Sequence, residues 1–491
     1  MSWGLASIVD AGLILGVVTM LCGLAGIGDD SVDAAVFSCV GAAGAALAAV
    51  AQRRVAPPER PGAGRVFAGI GLLWTALVLF GAVLYAGTGA LARFDDALVE
   101  SAAGFTTTAV TLLDVGEVSR TVLLFRSATS WVGGLMALLI GVVTLPVVLR
   151  STALIGYTTG RRGLDLVPSA EVGTRRVLIL YSGFTAACVV AYLACGLGVT
   201  DALVVGLGSA STGGFTGRVD SLAGFGSAVH AVAGVGMFLA GAGIFVVWWV
   251  VRGRVRPLWR SQELRTFLLL IAVATVAVGV HRDIGWGEAG FMAVSMMSTT
   301  GFAVADWTGW GPSATVVMLV AAGIGSMMGS PGGGMRVMRA RLLMGSAGGE
   351  LRRQLDPYAL VLVRRDGETL SRRTLDRLGG HQIAYVVLVG VGALLLGISG
   401  VSMLGSVWGS VSAVSTVGPA MGEIGAFGQL GDLGRPARLA LVPLMMGGRM
   451  SIPPLLAGVG LLLRTYQAAE RRARYRMSRR SVSEESGNGD G

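Results

Sequence analysis

The sequence contains no lysine, and histidine, cysteine and charged residues of either sign are scarce. All 39 basic residues are arginines, and charged side chains make up 14% of the 491 residues, against about 25% in a typical soluble protein. The three histidines and four cysteines show neither the spacing of metal ligands nor a C-x-x-C pair. No Ser/His/Asp set, carboxylate pair or G-x-x-x-x-G-K-[ST] motif is present. The sequence therefore predicts no enzyme and no bound cofactor.

Apolar sequence is abundant instead. Hydrophobic residues make up 53% of the chain and the mean hydropathy is +0.69. Many runs exceed the roughly 18 apolar residues that suggest a transmembrane helix. We therefore predict an all-α membrane protein with ten spans. These cover about residues 4–27, 32–51, 66–89, 121–149, 177–199, 228–251, 265–281, 313–343, 382–400 and 437–464.

The arginines predict which side of the membrane each loop faces. The net charge of +10 could indicate nucleic-acid binding, but the arginines follow the second, fourth, sixth, eighth and tenth spans. These loops share one side, which the positive-inside rule identifies as cytoplasmic. We expect a multi-pass protein of the cell (plasma or inner) membrane, surrounded by lipid, with both termini cytoplasmic and no nucleic-acid partner. The opposite loops are relatively acidic, with Asp95, Asp96 and Glu100 among them, and would attract cations.

A fourfold repeat follows the first two spans. Each unit is a span, a short weakly apolar helix, a loop of Ser, Thr and Gly, and a second span. The short helices cannot cross the bilayer and are predicted to be re-entrant. The predicted divisions are two extra N-terminal helices (1–64), pore repeats (65–160, 161–262, 263–346 and 381–466), a cytoplasmic linker (347–380) and a basic, disordered tail (467–491).

The four loops could bind a cation along a common pseudo-fourfold axis. They read "TTTA" (106–109), "STGGFT" (211–216), "STTGF" (298–302) and "STVGPA" (415–420). Gly reaches positive φ at little cost, so such loops can point several carbonyls at one axis. Rings of carbonyl oxygens can replace the hydration shell of a cation. Close helix packing through small residues is the alternative, but four loops in register favour a pore.

Several longer stretches carry a resemblance to a known family. They are "ESAAGFTTTAV" (100–110), "LLFRSATSWVGGLMALLIGVVTLP" (123–146), "GSASTGGFTGRVDS" (208–221), "SMMSTTGFAVADWTGW" (295–310), "GSMMGSPGGGMRVMR" (325–339), "SAVSTVGPAMGEIG" (412–425) and "MMGGRM" (445–450). Over about residues 65–464 the chain resembles the Trk/Ktr/HKT superfamily of K+ transporters, and its two extra N-terminal spans are TrkH-like. The resemblance implies a K+-translocating subunit, usually a homodimer, that works with a cytosolic nucleotide-binding RCK subunit of the TrkA/KtrA type.

The resemblance also implies roles for individual residues. The implied K+ selectivity filter consists of Thr107, Thr108, Ala109, Thr212, Gly213, Gly214, Thr299, Thr300, Gly301, Thr416, Val417 and Gly418. The implied gate is an intramembrane loop of Gly329, Ser330, Pro331, Gly332, Gly333 and Gly334, followed by Arg336. Arg449, inside the tenth span, is implied to face the cavity as a barrier to cation flow. A structural pair with a carboxylate is the alternative role for Arg449.

One position departs from the family pattern. The family has Gly at the end of the first triplet, where this chain has Ala109, whose Cβ disfavours positive φ. The chain could therefore be a weakly selective K+/Na+ or Na+ pore. A secondary transporter with a broken-helix site at the bilayer midplane is a further alternative. For Arg126, early in the fourth span, an interfacial position and a functional role remain open.

Overall fold

The structure is a computed structural model that describes residues 2–27, 31–52, 63–144, 166–280, 284–356, 358, 363–365, 368–370 and 372–450. The second half of the predicted tenth span, the tail from residue 467 and the arginine-bearing segments 53–62 and 145–165 lie outside these residues. Most of the described chain is helical, which confirms the all-α prediction. The described strands form one short antiparallel hairpin, β1 (Arg364–Arg365) and β2 (Glu368–Thr369).

The helices are labelled in chain order. They are α1 (Ser2–Ala25), α2 (Ser31–Gln52), α3 (Ala63–Gly87), α4 (Phe94–Thr106), α5 (Arg120–Leu138), α6 (Ala170–Ala194), α7 (Val199–Ser211), α8 (Ser227–Ala242), α9 (Ile244–Val251), α10 (Val255–Arg260), α11 (Gln262–Gly279), α12 (Trp286–Ser298), α13 (Pro312–Ile324), α14 (Val337–Leu355), α15 (Arg372–Ile398), α16 (Met403–Ser415) and α17 (Arg435–Met450). A π-helix, Leu139–Thr144, continues α5.

Six of the described helices are long and apolar enough to cross a membrane, or seven if one bent pair counts as a span. The six are α2, α3, α5 with its π-helical extension, α6, α11 and α15. The chain is therefore a multi-pass membrane protein. The predicted first span corresponds to α1, of which Val9–Ala25 is apolar, and the first half of the predicted eighth span to the shorter apolar helix Pro312–Ile324.

The predicted span over residues 228–251 is broken rather than straight. Helices α8 and α9 meet at an angle of 109° because Gly243 between them has φ 89°, a conformation that a helix cannot contain. A Cβ atom on Gly243 would lie 2.8 Å from the backbone carbon of Gly329. The break therefore lets α9 approach the loop between α13 and α14. The predicted interruption of the eighth span is confirmed, because α13 ends at Ile324 and α14 begins at Val337.

Four units of span, short helix and span form a closed ring. The short helices α4, α7, α12 and α16 have 13 residues each. Each packs against the spans of its own unit and against one span of the preceding unit, so that α7 contacts α5, α12 contacts α8, α16 contacts α13 and α4 contacts α17. This last contact joins the fourth unit to the first. The predicted pseudo-fourfold arrangement is thus present in the packing.

Ion pairs reinforce the closure of the ring. Arg435, at the start of α17, lies 2.5 Å from Asp95 of α4, and Arg438 lies 3.2 Å from Asp96. The hydrogen bond from Arg93 lowers the pKa of the Asp95 carboxyl below its ordinary value. These two carboxylates, predicted to make the outer face acidic, are therefore matched by arginines.

The N-terminal hairpin packs through glycines against the first unit. Helix α1 contacts α2, α3 and α5. The backbones of α1 and α2 approach so closely that a Cβ on Gly41 would lie 2.3 Å from the amide nitrogen of Met20. Small residues allow such contacts between membrane helices.

This close approach predicts the effect of adding one methyl group. Gly41→Ala should lower the thermal stability of the detergent-solubilised protein, because overpacking of this kind costs about 1–3 kcal/mol. Gly44→Ala is the matched control, since its Cβ would meet only the Gly16 Cα at 4.0 Å. Equal melting temperatures for the two variants would contradict the described packing.

Candidate functional site

Each of the four short helices ends in the same unusual turn. Thr107, Thr212, Thr299 and Thr416 have φ between 54° and 59°, which is a rare conformation for a β-branched residue. In the first turn Thr107 N donates to Gly104 O at 3.0 Å and Thr108 N donates to Ala103 O at 2.9 Å. The other three turns repeat this pair of bonds, which is the Schellman pattern that ends a helix. The turns aim the negative ends of four helix dipoles at the loops.

The third positions of the triplets interlock around one axis. A Cβ on Gly214 would lie 2.0 Å from Thr300 O, one on Gly301 would lie 2.3 Å from Val417 O, and one on Gly418 would lie 2.4 Å from the backbone carbon of Ala109. The loops therefore contact one another in the order two, three, four, one. The structure brings all twelve predicted filter residues together in this ring.

Ala109 breaks the fourfold symmetry of the ring. Gly214, Gly301 and Gly418 all have positive φ, between 64° and 108°, and Ala109 does not. Its amide donates to Val417 O at 3.2 Å. Its methyl group lies where Cβ atoms on Gly214 and Gly301 would approach to 2.8 Å. The first loop thus contributes a methyl group and an engaged amide at the level where the other loops contribute glycines.

The threonine hydroxyls lie at the inner end of the loops and are buried. The hydroxyls of Thr107 and Thr416 have no hydrogen-bond partner among the described residues. That of Thr212 donates to Ser211 O at 2.6 Å, and that of Thr299 accepts from Gly333 N at 2.8 Å. Unpaired buried oxygens are rare in proteins, and these two are available as ligands for a cation.

The loop between α13 and α14 lies directly against these threonines. A Cβ on Gly332 would lie 2.6 Å from Ser298 O and from Thr299 Oγ1. A Cβ on Gly333 would lie 2.1 Å from Ser415 O and 2.5 Å from Thr416 Oγ1. The predicted gate residues 329–334 therefore meet the inner end of the third and fourth loops.

Charged side chains hold this loop in place. Arg336, itself at φ 76°, donates from Nη1 to Ser326 Oγ at 2.9 Å and to Met327 O at 3.0 Å. The carboxylate of Glu263, at the start of α11, accepts from Met328 N at 2.8 Å. Nothing in the sequence marked Glu263 for this role, because its partner is a backbone amide 65 residues away.

Arg449 is 8% exposed and donates from Nη1 to Pro331 O. Its Nε and Nη2 atoms have no hydrogen-bond partner among the described residues, so no carboxylate there pairs with it. Its guanidinium carbon lies 5.8 Å from the centre of the Trp74 ring. The predicted barrier residue is thus joined to the predicted gate loop.

A cavity of about 120 Å³ lies beside this loop and Arg449. It is lined by Gly332, Gly333, Arg336, Arg339, His381 and Arg449, among others. A water molecule needs about 10–15 Å³ of such volume, so the cavity is large enough for several waters. On its wall the hydroxyl of Tyr385 contacts Ser415 Oγ at 2.7 Å, just before the fourth threonine turn.

Glu100 and Arg126 are placed differently from the sequence expectation. Glu100 is fully buried, so its assignment to the outer loops is wrong, and Arg126 is 4% exposed, so its side chain lies inside the protein. The two side chains form an ion pair at 2.8 Å. The sequence offered one signal for this pair. An acidic and a basic residue both lie within apolar helices, and buried charges in membranes generally pair.

Four helix ends that converge on one axis inside a bundle of apolar helices are typical of membrane proteins that translocate cations. The TrkH family model, described as a cation transport protein, matches residues 64–282 and 286–461. The chain therefore belongs to the TrkH family of cation transport proteins. Since the members of this family transport ions, the family also confirms that the chain is not an enzyme.

Individual relatives agree with this assignment. The chain is 30% identical over 404 residues to the Trk system potassium uptake protein TrkH of Halomonas elongata, covering 78% of this chain and 82% of that protein. It is 29% identical over 310 residues to TrkG of Escherichia coli, covering 60% and 64%. The crystal structure of the potassium transporter TrkH from Vibrio parahaemolyticus superimposes with a TM-score of 0.80 at 25% identity, covering 92% of this chain and 97% of that one.

Proposed function

We propose that this chain is the K+-translocating subunit of a Trk-type uptake system. K+ is the transported substrate, and it crosses along the axis on which the four loops converge. The observation that carries the proposal is the interlocked ring of four threonine turns, each at the end of a short helix. The relatives named Trk system potassium uptake proteins support K+ as the ion.

The filter is formed by the four triplets 107–109, 212–214, 299–301 and 416–418. Their carbonyl oxygens replace waters around the ion, and the threonine hydroxyls add the innermost oxygens. The ends of four helix dipoles favour a positive charge at this point. The unpaired hydroxyls of Thr107 and Thr416 support this use.

The membrane potential drives uptake. One charge moving inward gains about 2.3 kcal/mol per 100 mV, which balances a roughly fifty-fold concentration ratio at tenfold per 1.4 kcal/mol. No cofactor bound by this chain is required for such transport.

The loop 329–334 is the gate, with Arg336 and Arg449 as its anchors. Gly332 and Gly333 block the inner end of the filter. Arg449 holds the loop through Pro331 O and places a positive charge next to the path of the ion, where it raises the barrier for a cation.

The complete system contains further copies and components. We place the chain in the cell membrane with both termini in the cytoplasm, as a homodimer bound to a cytosolic nucleotide-binding RCK subunit of the TrkA/KtrA type. The chain is divided as the sequence predicts, with pore repeats from 65 to 346 and from 381 to 466. The arginine-rich linker 347–380 and the adjoining cytoplasmic loops offer the basic surface for the regulatory subunit.

A weakly selective K+/Na+ or Na+ pore is the second candidate. The observation that favours it is the asymmetry at Ala109, which alone of the four third positions lacks positive φ. A secondary transporter is less favoured, because such folds are built from two related halves and this chain packs as a ring of four units.

Ion flux into liposomes that contain the purified full-length protein tests the proposal. The same inward gradient is set up for K+ and for Na+, and an inside-negative potential is imposed. Under these conditions K+ should enter several-fold faster than Na+. Comparable K+ and Na+ flux would favour the second candidate. Flux of neither ion through folded protein, with the RCK subunit added, would contradict both.

Ala109→Gly tests the effect of the asymmetric position. Glycine allows the fourth positive φ, so the four carbonyls become equivalent and the K+/Na+ flux ratio should rise several-fold. Ala420→Gly, another buried alanine after the fourth triplet, is the control and should keep the wild-type ratio. Equal ratios in wild type and Ala109→Gly would refute a role for Ala109 in selectivity.

Gly333→Ala tests the gate. Its methyl group would clash with Ser415 O and push the loop away from the filter, so basal K+ flux should rise several-fold without the RCK subunit. Gly348→Ala on α14, whose Cβ would meet no atom of the described residues within 4 Å, should behave as wild type. Unchanged flux through folded Gly333→Ala protein would show that the loop does not limit conduction.

A further inference from the structure

A buried ion pair lies behind the first two filter loops. The Nε atom of Arg126 lies 2.8 Å from Oε1 of Glu100, and their side chains are 5% and 0% exposed. Glu100 belongs to the short helix α4, seven residues before Thr107, and Arg126 belongs to α5. Both residues therefore sit on the helices that support the first loop.

Glu100 holds the chain that leaves the first triplet. Its carboxylate accepts hydrogen bonds from Thr111 Oγ1 at 3.1 Å and from Leu112 N at 2.7 Å. Thr111 comes two residues after Ala109. Thr111 in turn pairs with the outer end of the fourth unit, because its amide donates to Gly428 O at 2.9 Å.

Arg126 extends the contact to the second loop. Its Nη1 atom donates to Thr216 O at 3.3 Å, and its guanidinium carbon lies 4.1 Å above the centre of the Phe215 ring. Phe215 and Thr216 directly follow the triplet Thr212–Gly214. One guanidinium thus bonds to the support of the first loop and to the backbone of the second.

In the described part of the chain, no equivalent of Glu100 is present on the short helices of the other three units. Seven residues before the threonine turn, α7 has Val205, α12 has Met292 and α16 has Gly409. The second and third loops are joined by neutral bonds instead, from Leu222 N to Ala303 O and from Ala303 N to Ser221 Oγ. Among the described residues, a buried Glu–Arg pair is therefore found only beside the first and second loops.

We propose that the Glu100–Arg126 pair is a selectivity-determining positioning device, which fixes the spacing between the first and second loops at the outer end of the filter. The inference rests on the proposed filter function. A charge-assisted bond is stronger and more directional than a neutral one, and a planar guanidinium can engage several partners in a fixed geometry. These properties hold the first loop, which has Ala109 instead of a fourth glycine, at the distance from the second loop that K+ requires.

Glu100→Gln and Arg126→Lys test the proposal by K+ and Na+ flux in liposomes. Glu100→Gln keeps the shape of the side chain but removes its charge, and Arg126→Lys keeps the charge but loses the planar fork. Both should lower the K+/Na+ flux ratio several-fold while K+ still passes. Thr111→Val is a milder third variant that removes one hydroxyl from Glu100, and it should shift the ratio in the same direction by less.

The exposed pair Arg218 and Asp220, in the segment after the second triplet and 3.0 Å apart, provides the matched control. Arg218→Gln and Asp220→Asn should leave the ratio unchanged. A wild-type ratio in folded Glu100→Gln or Thr111→Val protein would overturn the proposal and leave the filter intact. If Glu100→Gln fails to fold, Thr111→Val decides. A wild-type protein that passes neither cation would instead contradict the proposed function and this inference with it.

Discussion

The left-handed conformation of four threonines is the constraint on which the rest of the structure depends. Each costs about 1–3 kcal/mol of backbone strain, and each persists because two capping hydrogen bonds and the neighbouring loop over-determine it. The conformation turns the chain from the helix end into the axis, and the third residue then packs against the next loop. The ring of four units provides the rigid surroundings that keep these turns in place.

The proposed gate loop, residues 329–334, depends on the same threonine turns as the proposed filter. The hydroxyl of Thr299 accepts a bond from Gly333 N, and the two glycines Gly332 and Gly333 fit only because they lack Cβ atoms. Glu263, Arg336 and Arg449 then hold the loop from three different helices or helix ends. Movement of any of these helices would therefore displace the loop at the inner end of the four threonine turns, and the proposed cytosolic subunit could act on conduction by this route.

The sequence predicted the fold and located the four loops because their signals are local. Gly, Ser and Thr runs after short apolar helices marked the four loops, and the GSPGGG sequence (329–334) marked the interruption of the eighth span. The bend at Gly243 was missed because a single glycine is common inside an apolar helix, and its cause is a loop 86 residues away. Glu100 was assigned to the wrong environment because its partners, Arg126 and Thr111, are defined only by the packing of α4 against α5.

The most direct test of the account is the position of a cation in the protein. Anomalous diffraction from crystals of the full chain grown in Rb+, a close analogue of K+, would reveal bound ions without relying on transport. The account predicts anomalous peaks on the axis between Thr107, Thr212, Thr299 and Thr416, with none on the cytoplasmic side of Gly333. Ordered Rb+ elsewhere in the membrane region, with no peak on this axis, would contradict it.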